Sequence, residues 1–184
     1  MCLLPDETLR ELAARARRLE TDMGWDGFER RPQLQPPVTT PALKEAEARL
    51  GFALPAVMRQ LYTSVANGGF GPGYGLIGLI GGARSDLDRD AVEEYLAFRQ
   101  PDPDDAGYEW PERLLPIAHW GCAIYSCVDC GRDDAPVVRF DPNPVDDDWS
   151  IAFAPEGQTL CSWLEDWLRG EELFESRLAG GNQR

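Results

Sequence analysis

The 184 residues, 43% of them apolar and including six Trp, seven Phe and five Tyr, can bury a core of their own and exclude a disordered chain. No run approaches the roughly 18 apolar residues of a membrane-spanning helix, and the opening MCLLPDETLR lacks the basic stretch of a secretory signal, so a cytoplasmic protein is expected. The net charge of −14 falls almost wholly in the second half: residues 1–100 carry 14 acidic and 12 basic side chains, residues 101–184 carry 18 and 6. Such a chain is repelled by nucleic acid and by anionic membrane, and it suits a basic protein partner. Five cysteines are an odd number in a chain that needs no disulfides at this size, and free thiols are expected.

In chain order, Leu9, Leu12, Ala13, Ala16 and Leu19 share one face of a predicted helix over 6–22. The turn-rich stretch 24–38 ends it. Thr40 as N-cap, Pro41 in the first turn and Gly51 past the end predict a second helix to Leu50. A third starts at Pro55, with Val57, Met58, Leu61, Tyr62 and Val65 at core spacing, and ends at Asn67-Gly68-Gly69. YGLIGLIGG (74–82) reads as a short apolar strand, and 86–99 as a helix. Strands of an antiparallel meander are expected near 114–119, 122–129, 136–141 and 149–154. A helix over 159–169, capped by Thr159 with Leu160, Trp163, Leu164, Trp167 and Leu168 in a stripe, closes the chain. Helices, then strands, then a helix predict an α+β fold with helices packed on a mostly antiparallel sheet in a single domain. The expected division is an N-terminal helical extension (1–23), the domain proper (24–178) and a frayed tail (179–184).

Several motifs invite chemistry. Gly73, Gly75 and Gly78 match G-x-G-x-x-G, but a helix precedes and a strand-like run follows, the reverse of a dinucleotide site. DPNPVD (141–146) lacks the glycine and the ligands of a calcium loop. His119, Cys122, Cys127 and Cys130 have identities acceptable for structural zinc. In an extended 122–130, however, Cys122 and Cys130 point one way and Cys127 the other, so only a turn at 129–131 would curl Cys127 and Cys130 together. One C-x2-C without a second is a weak signal, and buried cysteine is common in cores. With one histidine and no convincing nucleophile–base pair, no catalytic residue and no cofactor are expected, a zinc enzyme on this cluster being the minority alternative.

Two loops concentrate the acid. PDPDDAGYEWPE (101–112) has five acidic residues and DPNPVDDD (141–148) has four, neither with a base. Asp102, Asp104, Asp105, Glu109, Asp146, Asp147 and Asp148 are therefore candidate partner contacts, with Trp110 and Trp149 as aromatic anchors.

Four stretches taken together resemble one family. LGFALPAVMRQLYTSVANGGFGPGYGLIGL (50–79) is similar to the signature of the SMI1/KNR4 domain of the SUKH superfamily, through Leu54-Pro55, Asn67-Gly68-Gly69 and Gly71. Gly24-Trp25 with PPVT (36–39) resembles the segment that opens the domain; LLPIAHWGCAIYSCVD resembles its strand pair, and TLCSWLEDWL its closing helix. The resemblance implies an α+β fold without universal catalytic residues. It also implies, as in many bacterial members, an immunity protein that binds and neutralises a cognate toxin, often a nuclease. Fungal relatives imply the alternative, a regulatory or scaffold module connected with the cell wall. The cysteine-rich strand, the acidic 101–112 loop and the N-terminal helix depart from the family pattern.

Overall fold

A computed structural model describes residues 2–24, 33–103 and 107–174; Trp25, Asp104, Asp105 and the expected tail 179–184 lie outside them. Helix α1 (Asp6–Arg17) places Asp6 and Glu7 in its first turn and Arg15 and Arg17 in its last, matching the helix dipole, and buries Leu12 and Ala16. It stops short of residue 22 because Leu19 takes a positive φ of 55°. The chain beyond it then pairs elsewhere, with Thr21 bridging Gly71 and Glu20 accepting the Gly71 amide at 2.8 Å.

Helix α2 (Thr40–Leu50) is capped one residue earlier than expected, by Thr39, whose hydroxyl accepts from the Ala42 amide, and it ends in the left-handed Gly51. Helix α3 (Ala56–Ser64) follows Pro55 and buries Val57, Met58, Leu61 and Tyr62. Helix α4 (Ala91–Phe98) starts five residues later than the apolar spacing suggests, because Asp90 and Glu93 form a reciprocal capping box.

Residues 74–82 are not a strand. Only Leu76 makes a bridge, to Ala118, while the amide and carbonyl of Leu79 are taken by the side chain of Asn67. Its other backbone groups are bonded one by one to scattered partners, the Tyr74 and Ile77 amides to the His119 and Ile117 carbonyls of the first sheet strand, the Leu76 amide to Phe70 and the Gly78 amide to Ala83, so no continuous ladder forms.

The sheet is an antiparallel meander in the order β1 (Leu114–Gly121), β2 (Ile124–Asp129), β3 (Pro136–Phe140), β4 (Phe153–Thr159). Cys122 and Ala123, at φ 49° and 60°, form the two-residue turn between β1 and β2, so β2 begins two residues later than expected. The fourth strand also lies later than 149–154. Residues 149–152 form a single 3-10 turn, held by Asp148 accepting the Ser150 amide at 2.9 Å. Helix α5 (Leu160–Arg169) follows β4 directly, through a Thr159–Ser162 capping box.

One face of the sheet carries Tyr125 and Phe140, which meet Phe98 of α4 at ring-centroid distances of 5.3 and 6.0 Å. On the other, Arg139 lies over the Phe174 ring at 5.0 Å and donates to the Leu173 carbonyl. Helices and sheet close around a single core that includes Leu12, Leu61, Leu115, Trp163 and Leu164, an α+β fold in one domain. Among the described residues, no helix is long and apolar enough to cross a membrane.

Candidate functional site

The two acidic loops lie about thirty residues apart in sequence, one between α4 and β1 and the other between β3 and β4. The fold brings them together. Trp110 anchors the first from within: its ring stacks on Phe98 at 4.5 Å, meets Phe140 edge-on at 4.8 Å, and donates Nε1–H to the Leu114 carbonyl at 2.8 Å. Arg99 donates to the Trp110 carbonyl at 2.6 Å, pinning the backbone of the same residue. Trp110 is only 1% exposed, which corrects its expected role as a partner-facing anchor. It is a core residue that positions the loop.

Directly outside this cluster, Tyr108 meets Trp149 edge-on at 4.9 Å, one aromatic from each loop. Beside that contact runs an open groove of about 570 Å³, lined by Glu109 from the first loop and Asp147, Asp148 and Trp149 from the second, with Phe153 in its wall. The Ser150 hydroxyl and amide hold the Asp148 carboxyl below the usual range, so it is charged at neutral pH. Burial, with the Asp102 charge adding to it, pushes the Tyr108 phenol up to about 12, so it stays protonated. Of the sequence-selected residues, Glu109, Asp147, Asp148 and Trp149 therefore share one site, and Asp102 is exposed close enough to act on Tyr108. Asp146 is exposed on the second loop but does not line the groove. Tyr108, Phe153 and the half-exposed Ile151 were not singled out from sequence. Tyr108 lies within the acidic 101–112 stretch itself, and that position is the signal that could have found it; Ile151 and Phe153 carry none.

The histidine–cysteine set does not assemble. Cys122 is exposed in the β1–β2 turn, where its carbonyl accepts from Asn143 Nδ2 at 3.0 Å. Cys127 is buried within β2, and Cys130 is buried just past its end, its sulfur 3.8 Å from Met58 Sδ. The expected sharing of one face by Cys122 and Cys130 fails because both lie in turns outside the strand, where parity has no meaning. Burial pushes both the Cys127 and the Cys130 thiol well up, against thiolate formation. His119 stacks on Tyr74 at 4.9 Å with Nδ1 3.6 Å from Asp86 Oδ1, and burial draws its pKa below the ordinary value against the opposing pull of Asp86. Among the described residues, no group of three or more His, Cys, Asp or Glu is placed to hold a metal. The expectation that the chain uses no disulfide is also corrected: Cys2 and Cys161 are bridged, their Cα atoms 6.4 Å apart.

The remaining motif residues shape the backbone. Leu54 is buried ahead of Pro55, and its amide donates to Glu47 Oε1 at 2.8 Å. Asn67 is 3% exposed, and its side chain ties the Leu79 amide (2.7 Å) and the Ile80 carbonyl (3.2 Å). Gly68 has φ +82°, and a Cβ there would sit 2.5 Å from the Leu76 carbonyl oxygen, so a side chain is excluded by both strain and space. Gly69 and Gly71 continue the turn at positive φ.

No curated protein and no solved structure matches the chain. The model of the SMI1/KNR4 family (SUKH-1) matches residues 37–170, from the segment ahead of α2 to the end of α5. The match thus takes in the Leu54-Pro55 step, the Asn67–Gly71 turn, the whole meander and both acidic loops, and by it the chain belongs to the SMI1/KNR4 family (SUKH-1).

Proposed function

We propose that this chain is a non-catalytic, protein-binding immunity protein that neutralises a cognate toxin with a basic surface, of nuclease type, through the acidic groove. One observation carries the reading. Two loops far apart in sequence, both acidic and without a base, meet at a groove whose wall is Glu109, Asp147, Asp148 and Trp149. Membership of the SMI1/KNR4 family supports it, since binding by immunity proteins is what that resemblance implies.

The physical case is electrostatic complementarity. A nuclease is basic where it meets the phosphate backbone, and an acidic surface presented there competes for the same side chains. Summed over a half-molecule with 18 acidic and 6 basic residues, the field also steers encounter and raises the association rate at low ionic strength. Trp149 and Tyr108 add flat aromatic surface on which a guanidinium can stack, and Ile151, exposed in the same 3-10 turn as Trp149, adds apolar surface. The site of action in this reading is the cytoplasm.

The experiment is co-expression of the chain with the product of the gene immediately upstream of its own. Growth restored by the wild-type chain, and not by a variant carrying Glu109→Lys, Asp147→Lys and Asp148→Lys, is the expected result. A toxic neighbour that the wild-type chain neither binds nor neutralises sinks the reading. A non-toxic housekeeping partner identified instead makes the chain a regulatory module of the same fold.

A further inference from the structure

The N-terminal segment 2–24 lies wholly before the part of the chain that matches the family model, which begins at residue 37. It nevertheless crosses three parts of the domain. At its start, Leu4 exchanges two hydrogen bonds with the Gln60 side chain of α3, at 2.9 and 3.0 Å. In its middle, Arg15 donates to the Leu168 carbonyl and lies over the Trp167 ring of α5, 5.1 Å from the centroid. At its end, Asp22 accepts from Trp167 Nε1 at 2.8 Å, and the Met23 amide donates to the Gly73 carbonyl at 2.9 Å. Burial of Leu12 and Ala16 supplies the apolar part of the contact.

One tie is of a different kind: the Cys2–Cys161 bridge joins the first described residue to α5 across 159 positions of sequence. Both cysteines are half-buried, so an external thiolate can reach them. Cys127 and Cys130 are buried with their thiols held protonated, which keeps them out of exchange with the bridge. The bridge is therefore kept apart from the two buried thiols, Cys122 being the one exposed free cysteine among the described residues, and it sits on a segment whose other ties to the domain are non-covalent.

We infer that Cys2–Cys161 is a thiol-reducible latch fastening the N-terminal strap to α5, so that the redox state of the surroundings sets how firmly α1 is held. The reductant is a dithiol. One of its thiolates attacks a sulfur of the bridge and forms a mixed disulfide, releasing the other cysteine as a thiolate that takes a proton. The second thiol of the reductant then attacks the mixed disulfide and frees the remaining cysteine. Two electrons and two protons pass to the protein, and the reductant leaves as its own disulfide. The non-covalent ties at Leu168, Trp167 and Gly73 remain, so the domain stays folded while the strap loosens at its N-terminal end, where Leu4 meets Gln60.

The test is made on the full chain, prepared under air oxidation and again in excess dithiothreitol. Alkylation followed by non-reducing peptide mapping should find Cys2 linked to Cys161 in the first and five alkylated thiols in the second. Amide hydrogen exchange over residues 3–9 should quicken by about tenfold on reduction, with β1, β2 and β3 unchanged, because opening is local. A Cys2→Ser chain without reductant should show the loosened pattern, and Cys122→Ser should still show both patterns. Absence of the linked peptide, or unchanged exchange over 3–9 on reduction, overturns the latch. So does faster exchange across the whole sheet, which would make the bridge a brace of the entire fold.

Discussion

Asn67 holds the turn at residues 79–83 with its side chain and its backbone carbonyl together. Its Oδ1 accepts from the Leu79 amide at 2.7 Å, its Nδ2 reaches the Leu79 and Ile80 carbonyls, and its own carbonyl accepts from the Ala83 amide at 2.9 Å. Asn67→Ala leaves the Leu79 amide and the Leu79 and Ile80 carbonyls without this partner while keeping the backbone bond to Ala83, and the expected loss is about 3 kcal/mol of stability. Urea unfolding checks it: a lower midpoint at unchanged slope is the predicted outcome. His119 makes a second prediction at this scale. Burial lowers its pKa in the folded chain below the unfolded value of about 6.5, so the unfolded chain binds the proton more readily. The contribution of His119 is fully present above about pH 6.5 and is lost as pH falls through the folded value. Asp22 and Asp90, whose carboxyls burial pushes upward, act in the opposite direction as pH falls. The comparison of wild type with His119→Gln therefore isolates the histidine: from pH 7 to pH 5 the melting temperature of the variant should fall less, or rise more, than that of wild type.

Helix α5 shows how cap chemistry and an apolar stripe cooperate. Leu160, Trp163, Leu164 and Trp167 are buried along one side, and the Thr159 hydroxyl accepts from the Ser162 amide while Ser162 answers the Thr159 amide. Thr159→Ala removes half of that box and should cost about 1 kcal/mol, seen as a melting temperature lower by about 3 °C. Local signals of this type are why the helices were legible: Thr159, or Pro41 and Gly51, act on neighbours in sequence. The missed start of α4 was equally local, since Asp90-Ala91-Val92-Glu93 is a capping-box pattern that the apolar spacing outweighed. Elsewhere the deciding partner is distant. Asn67 turns the chain at Leu79 and Ile80, and Phe70, Ile117 and His119 take up bonds from residues 74–77, partners that only the folded chain brings there. Asp148 turns residues 149–152 into a 3-10 turn and delays β4. Trp110 reads as a surface anchor because its neighbours are acidic, yet Phe98, Phe140 and Phe153 enclose it. No spacing rule links Cys2 to Cys161 across 159 positions.

Over the whole molecule, the charge asymmetry becomes a site only through topology. Composition located the acid in residues 101–112 and 141–148 but could not place the two loops side by side. Their meeting rests on the first loop crossing the sheet face, where Trp110 packs on Phe140 and Phe153 at either end of the second loop and Tyr108 meets Trp149. The resulting groove keeps its carboxylates at the surface, where they cost little desolvation, and its aromatics alongside them. Binding driven by such a surface is salt-dependent, because exposed charges are screened within about 8 Å at physiological ionic strength.

The central claim is that Glu109, Asp147 and Asp148 form the face that holds a basic toxin. The most direct measurement is the affinity of the purified chain for the purified product of the neighbouring upstream gene, by titration calorimetry at low and at physiological salt. It is taken for wild type and for the Glu109→Lys, Asp147→Lys, Asp148→Lys variant, with circular dichroism confirming that the variant is folded. The account predicts that wild-type Kd rises with salt and that the variant binds at least about a hundredfold more weakly, as expected for reversing charges at an interface. Equal affinity of wild type and folded variant would contradict it.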